Sequence, residues 1–105
     1  MILRMWKARS TVEGMDKYVQ HATTKVFPAL SGIEGYRGAY LLRREFYGGI
    51  EFVVLTLWDS MTAVGKFTGA EPEKAVVDPE VQAFLTAFDR TVSHFEVVHS
   101  VTQKE

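Results

Sequence analysis

The run from Phe52 to Trp58 is apolar on both of its sides. Side chains alternate along a strand, so one face would hold Phe52, Val54, Thr56 and Trp58, and the other Val53, Leu55 and Leu57. A chain of 105 residues makes one domain with room for only a few helices. Helices would cover one face of such a sheet, so the second face needs another apolar cover.

Apolar spacing and a glycine pair predict four strands. They are expected at Ile2 to Ala8, Tyr36 to Glu45, Ile50 to Trp58 and about Val92 to Val101. Gly48-Gly49 would form the tip of a hairpin between the second and third strands.

Capping signals predict two helical regions between these strands. Ser10 and Glu13 have the spacing of a capping box before an apolar stripe that ends at Pro28. Asp59-Ser60 offers an N-cap to a second helix that stops at Gly69. Further helical starts are expected at Pro72 and at Asp78-Pro79, the latter before Val81, Phe84, Leu85 and Phe88.

The resulting order, β-α-β-β-α-β, predicts an α+β, ferredoxin-like domain over residues 1–105. It has one four-stranded antiparallel sheet with its helices on a single face. The uncovered face is expected to pack on a second copy of the chain. Hiding roughly 400 Å² of apolar area at ~25 cal/mol per Å² gives on the order of 10 kcal/mol per subunit before association costs. We therefore expect a homodimer.

Composition excludes several functional classes. Twelve Lys and Arg against 13 Asp and Glu give a net charge of -1, which creates no field for nucleic acid or an anionic membrane. An RNA-binding domain of this topology would need a basic-aromatic motif that residues 49–53 lack. The absence of Cys excludes thiolate chemistry. With no bilayer-length apolar run and no signal-like N-terminus, the expected location is the cytoplasm.

The stretch Phe52-Val53-Val54-Leu55-Thr56-Leu57-Trp58-Asp59-Ser60, followed by Ala63, Phe67 and an acidic segment with Pro72, resembles the antibiotic biosynthesis monooxygenase (ABM-like) family of dimeric α+β barrels. Pro28, Gly35-Tyr36 and His94-Phe95-Glu96-Val97 extend the resemblance over nearly the whole chain. It implies a barrel of two face-to-face sheets, with a small-molecule pocket in each subunit between sheet and helices. Family members include cofactor-free oxygenases of aromatic polyketides, haem-degrading enzymes and proteins without known activity.

The functional residues of the family transfer only in part. Trp58 matches the strand-end Trp that lines the pocket of quinone-forming members, whereas their pocket Asn corresponds to Val54. Haem-degrading members use an Asn, a Trp and a His at places that here hold roughly Trp6, Phe67 and Val77. The chain contains no Asn, so the resemblance disfavours haem degradation.

Strand alternation groups several candidate binding residues. If Trp58 faces the helices, then Arg4 and Trp6 of the first strand share its face. Two indoles beside a guanidinium, with Phe67 shaping the pocket, would suit a flat, electron-rich or anionic ligand. The alternative interpretation is structural, with both Trp residues in the core and Arg4 paired with a carboxylate.

His94 and Glu96 lie two residues apart on the last strand and therefore share a face. Arg4 and Glu96 could pair across strands. His94 could remove a proton from a phenol or an activated CH, leaving an anion able to reduce oxygen without a cofactor. A structural His-Glu-Arg cluster is the alternative.

The other two histidines, His21 and His99, are expected on the surface or on the dimer face. Three scattered His without Cys do not predict a metal site, and no Gly-rich segment has phosphate-binding spacing. We expect neither a metal nor a cofactor.

Three functional hypotheses remain. The first is a cofactor-independent monooxygenase for a small aromatic or polyketide-like compound, with His94 and Arg4 catalytic and with Trp6, Trp58, Phe67 and Glu96 binding the substrate. The second is a non-catalytic small-molecule-binding or structural dimer, and the third a cyclase or isomerase on the same scaffold. A cavity of ~300 Å³ or more beside His94 and Trp58 would favour a ligand site.

Overall fold

The computed structural model describes residues 1–103. Within them, the strands are β1 (Ile2–Ser10), β2 (Tyr36–Phe46), β3 (Gly49–Trp58), β4 (Ala87–Phe88) and β5 (Ser93–Glu96). The helices are α1 (Met15–His21), α2 (Phe27–Leu30), α3 (Met61–Thr68) and α4 (Pro79–Gln82), and a π-helical turn (Ala22–Val26) joins α1 to α2. None of the helices in this part of the chain is long and apolar enough to cross a membrane.

The strands form one antiparallel sheet in the order β2, β3, β1, and both β4 and β5 pair with β1. Phe88 of β4 lies opposite Ala8, and His94 of β5 lies opposite Arg4. The two short strands together take the place of one edge strand. The predicted α+β, ferredoxin-like fold is confirmed.

This edge strand begins and ends earlier than predicted, and it is interrupted. Residues 97–101 of the expected strand lie outside β5, and Phe88, expected in a helix, lies in β4. At the interruption, the amide of Ala75 donates to the carbonyl of Arg90, and the amide of Val92 donates to that of Glu73. The chain breaks its pairing with β1 there because residues 73–75 provide other partners.

Two of the predicted helix starts are confirmed. The Ser60 hydroxyl accepts a hydrogen bond from the amide of Ala63 at 3.2 Å as α3 begins. The Asp78 carboxylate accepts one from the amide of Glu80 at 3.0 Å as α4 begins. Both residues satisfy a backbone N–H that has no partner within its own helix.

Two other predicted starts are wrong. Ser10 is the last residue of β1, and its hydroxyl donates to the carbonyl of Thr11, so no capping box forms and α1 begins only at Met15. Pro72 lies in a turn and begins no helix. The backbone of Ser10 pairs with Ile50 of β3, and the backbone just after Pro72, at residues 73–75, pairs with residues 90–92. Neither backbone segment is therefore available for a helix.

The inner face of the sheet, where the helices pack, holds two hydrophobic clusters. The buried residues of the first cluster are Tyr18, Ala22, Ile50, Phe52 and Val81. Those of the second are Leu30, Trp58, Ala63 and Val64. The alternation predicted for β1 is confirmed, because Arg4, Ala8 and Ser10 are buried on this side.

The outer face of the sheet is also apolar. It carries Leu3, Met5, Tyr40, Leu42, Val53, Leu55, Leu57 and Phe95 on β1, β2, β3 and β5. In the single chain Tyr40 is 60% exposed, Phe95 50% and Leu42 45%. A contiguous apolar surface of this kind is unusual on a monomer. The second apolar face predicted from β3 is therefore present, and the helices leave it uncovered.

Candidate functional site

A cavity of about 80 Å³ lies on the inner face, among residues of both clusters. Its polar lining consists of Arg4, Tyr18, His21, Thr56 and Asp78, and its apolar wall includes Trp6, Phe27, Leu30, Phe67, Val77 and Val81. This volume is below the roughly 300–1,000 Å³ of most ligand pockets. Neither His94 nor Trp58 lines it, so it is not the large cavity that was expected beside those two residues.

Arg4 supplies the positive charge of the cavity and is only 5% exposed. Its Nη1 donates to the carbonyl of Pro72 at 2.5 Å, and its Nη2 donates to that of Lys74 at 3.0 Å. The guanidinium also lies 5.6 Å from the centre of the Phe67 ring. Burial lowers the pKa of Arg4 and the charge of Glu73 opposes the change, but a guanidinium keeps its proton at neutral pH. A fixed cation thus borders an otherwise mostly apolar space.

His94 is held in its neutral form by Arg4. Nη1 of Arg4 lies 2.9 Å from Nε2 of His94, and because a guanidinium only donates, Nε2 must accept. The ring proton then sits on Nδ1. Burial and the charge of Arg4 lower the pKa of His94, against an opposing effect of Glu73. The lone pair that would remove a proton from a substrate is therefore engaged.

The three aromatic candidates occupy two layers. Trp6 and Phe67 line the cavity, whereas Trp58 is fully buried and stacks on Phe67 with the ring centres 5.7 Å apart. The indole N–H of Trp58 donates to the hydroxyl of Thr56 at 2.8 Å, and that of Trp6 donates to the carbonyl of Asp89 at 2.7 Å. Both indoles are thus already satisfied, and Trp58 supports the cavity wall from behind.

Glu96 lies outside the cavity. The register of β5 places it opposite Ile2, where it is exposed, and places His94 opposite Arg4. The expected cross-strand pairing of Arg4 with Glu96 is therefore replaced by pairing with His94.

His21, for which the sequence predicts a surface position, is buried and lines the cavity, so that prediction is wrong. Within residues 1–103 its Nε2 has no hydrogen-bond partner. Oδ2 of Asp78 lies 3.8 Å from this nitrogen, which is beyond hydrogen-bonding distance. His99, by contrast, is exposed in the single chain.

The wrong prediction for His21 comes from the helix register. The predicted apolar stripe runs through Met15, Val19 and Ala22 and leaves His21 on the polar side, although His21 lies within the regular helix α1. The buried side of α1 is formed by Tyr18 and His21. The available signal was the spacing of three residues between them, which places two side chains on one helical face.

The cavity combines few polar groups with an apolar wall, an arrangement typical of small-molecule sites. It offers one cation, one carboxylate, one histidine with an unengaged nitrogen, and the side chains of Tyr18 and Thr56. Burial raises the pKa of Tyr18, so its hydroxyl stays protonated and can donate. Within residues 1–103, no group of three or more His, Asp or Glu could hold a metal ion.

No family model matches the sequence, and no curated protein matches it. Solved structures match over nearly the full length. An antibiotic biosynthesis monooxygenase superposes with a TM-score of 0.66 at 17% identity, over 94% of this chain and 100% of that one. A monooxygenase from the gene ActVA-Orf6 of Streptomyces coelicolor, solved with nanaomycin D, gives 0.68 at 15% identity, over 98% and 92%.

A haem-degrader also shares the architecture. MhuD from Mycobacterium tuberculosis, solved with two haems in its active site, superposes with a TM-score of 0.62 at 21% identity, over 97% of this chain and 100% of that one. Identities this low show a common fold. The resemblance predicted from the strand that ends in Trp58 is confirmed at that level, and the chain has the fold of the antibiotic biosynthesis monooxygenases.

Proposed function

We propose that this chain is a homodimeric, cofactor-independent monooxygenase that acts on a small aromatic compound. The observation that carries the proposal is the buried guanidinium of Arg4 at the edge of an aromatic-walled cavity. An anionic aromatic substrate would gain a charge-assisted hydrogen bond there. Two of the matched structures are monooxygenases, and one of them holds a small-molecule ligand.

The proposed reaction uses molecular oxygen as its co-substrate. A base removes the hydroxyl proton of a phenol, and a ring carbon that bears hydrogen adds O₂ to form a hydroperoxide. The hydroperoxide loses water to leave a carbonyl, so one phenol and one O₂ give one quinone and one water. Arg4 stabilises the phenolate oxygen, and Trp6 and Phe67 hold the ring. The sequence suggests His94 as this base, but Arg4 already engages the lone pair of its Nε2.

The outer face supports the proposed dimer. Its exposed Tyr40, Leu42 and Phe95 would be covered if the same face of a second chain packed on it. Face-to-face packing of two sheets produces the barrel that the resemblance implies. Each cavity would remain on the inner face of its own subunit, away from this contact.

The small volume of the cavity favours a second candidate function, a non-catalytic small-molecule-binding or structural dimer. At about 80 Å³, the cavity admits a bulky substrate only if the residues that line it move apart. The same volume counts against haem as a substrate, and so does the absence of Asn. Haem degradation is therefore disfavoured for this chain.

Oxygen uptake separates these functions. Purified protein is incubated with a panel of phenols and naphthols while O₂ consumption and quinone absorbance are recorded. We expect equimolar uptake and quinone formation, reduced about 100-fold in Arg4→Met and unchanged in Arg43→Met, a matched control at an exposed residue of β2. If every phenol is bound but none is oxidised, the binding dimer is the correct function, and turnover under nitrogen would indicate a cyclase or isomerase.

Titration with haemin tests whether the protein binds haem. We expect no stoichiometric change in the haemin spectrum. Tight binding of one or two equivalents of haemin would instead favour haem degradation as the function.

A further inference from the structure

The side chain of His21 is buried inside the protein without a hydrogen-bond partner for one of its nitrogens. It is 5% exposed, it lines the cavity, and its Nε2 has no partner within the described residues. Buried polar atoms are nearly always paired, because an unpaired one loses its hydration without compensation. An orphaned nitrogen at a cavity wall is therefore available to a polar group of a ligand.

The two inner-face histidines differ in what their nitrogens can do. Nε2 of His94 accepts from Arg4 at 2.9 Å, and this residue does not line the cavity. Nε2 of His21 is unengaged at the cavity wall. A base must reach the proton that it removes with a free lone pair, and His21 meets this requirement better than His94 does.

We propose that His21 is the general base of the proposed oxygenase and that it selects substrates with an ionisable hydroxyl group. This inference rests on the proposed function. The hydroxyl proton of a phenol moves to Nε2 of His21, and the electron pair stays on the substrate oxygen as a phenolate. One imidazolium and one phenolate are formed, so charge and protons balance without a further reactant.

Asp78 would stabilise the imidazolium. Its Oδ2 lies 3.8 Å from Nε2, close enough for attraction to a cation and too far for a hydrogen bond to the neutral ring. The residue is fixed as the N-cap of α4, where Oδ1 accepts from the amide of Glu80. Arg4 would stabilise the phenolate within the same cavity, so each product of the proton transfer meets an opposite charge.

Among the described residues that line the cavity, only Asp78 could accept a proton besides His21, and its Oδ1 already caps α4. Tyr18 precedes His21 on α1, and burial raises the pKa of this phenol, so it remains protonated. Lys25, on the π-helical turn, is paired outside with Glu80 of α4 at 3.3 Å. The carboxylate of Asp78 is the one negative group among the cavity-lining residues.

A chromophoric phenol tests the proposal without requiring turnover. The probe is 4-nitrophenol, whose phenolate absorbs at longer wavelength than the phenol, and nitrobenzene serves as the analogue that lacks the hydroxyl. Both are titrated at a mildly acidic pH at which free 4-nitrophenol is mostly protonated. The proteins are the wild type, His21→Gln, His21→Leu, His94→Gln and the exposed control His99→Gln, each checked for folding by circular dichroism.

We expect the wild type, His94→Gln and His99→Gln to bind 4-nitrophenol as the phenolate. Both His21 variants should lose that signal while they still bind nitrobenzene, and oxidation of a turned-over phenol should fall about 100-fold or more. Because two different substitutions of His21 are tested, the result stays decisive if one of these variants does not fold.

The other outcomes would overturn the inference in distinguishable ways. If the phenolate signal persists in both His21 variants and disappears in His94→Gln, the base is His94. If nitrobenzene binds to the wild type but 4-nitrophenol stays protonated, the cavity binds aromatics and His21 is not a base. If neither compound binds, the proposed function fails together with this inference.

Discussion

Nη1 of Arg4 donates to Nε2 of His94 across the β1–β5 pair, at 2.9 Å. The same guanidinium also donates hydrogen bonds to the backbone carbonyls of Pro72 and Lys74. Arg4 therefore joins the sheet edge to the segment that leads to α4. Burial and the charge of Arg4 lower the pKa of His94, and a protonated ring could not accept this hydrogen bond.

The protonation of His94 should make stability depend on pH. Burial and Arg4 lower the pKa of His94 in the folded chain, whereas the unfolded chain keeps the ordinary value of about 6.5. Between the two values the unfolded state binds more protons, so stability falls as the pH drops below about 6.5 and levels off below the folded pKa. The loss in melting temperature between about pH 8 and pH 5.5 should be smaller in His94→Gln than in the wild type. Equal losses in the two proteins would contradict this prediction, and His99→Gln, exposed in the single chain, serves as the control.

Replacing Arg4 should destabilise the fold. Arg4→Met removes donors from two backbone carbonyls and from His94, and hydrogen bonds to charged groups contribute about 1.5–3 kcal/mol each. Because the desolvation of the buried guanidinium offsets part of that sum, we expect the free energy of unfolding in urea to fall by about 3 kcal/mol. Arg43→Met should change it by less than about 0.5 kcal/mol. Equal stability of the two variants would show that the buried guanidinium contributes nothing to the fold.

Replacing His21 with an apolar residue should stabilise the protein and abolish its binding of 4-nitrophenol as the phenolate. His21→Leu removes the buried Nε2 that has no partner in the described chain, and an unsatisfied buried polar group costs about 1–3 kcal/mol. We expect a gain of about 1 kcal/mol in unfolding free energy, with His99→Leu unchanged. A loss of stability in His21→Leu would mean that the ring is paired in the folded protein.

A charge on the outer face should break the proposed dimer. Leu55 lies on that face of β3, between Met5 of β1 and Tyr40 of β2. Leu55→Asp would bury an unpaired carboxylate at the contact and should weaken association about 100-fold or more, as measured by sedimentation. Ala29→Asp, on the exposed side of α2, should leave association unchanged. A wild-type protein that sediments as a monomer would refute the dimer and the barrel with it.

Gly35 should tolerate no side chain. Its φ is +90°, and an added Cβ would lie 2.5 Å from the Cβ of Ala63. The amide of Asp59 also donates to its carbonyl at 2.8 Å, so the backbone cannot move away without losing a bond. Gly35→Ala should cost about 3 kcal/mol from the left-handed backbone and the overlap together. Gly32→Ala, where nothing lies within 4 Å, is the matched control and should be close to neutral in thermal melts.

Local signals predicted much of the fold because they depend on neighbours in the sequence. Alternation in β3 predicted two apolar faces, and Ser60 and Asp78 predicted the starts of α3 and α4. Each of these features rests on side-chain spacing or on a cap within a few residues. The same alternation correctly placed Arg4 and Trp6 on the side of the helices.

The register of the edge strand could not be predicted in this way. The sequence offered Glu96 as a partner for Arg4, and the sheet places His94 there because β4 and β5 pair with β1 in different registers. That offset arises where residues 73–75 displace the edge strand. Contacts between segments so far apart in sequence leave no local pattern.

By itself, the amino-acid sequence determined an antiparallel sheet with apolar residues on both sides and helices for one of them. Only the tertiary structure decided that His21 is buried at the cavity wall, that Trp58 lies behind Phe67, and that Arg4 engages His94. The physical reason is that alternation and capping act within one element, whereas burial and hydrogen-bond partners depend on which elements meet.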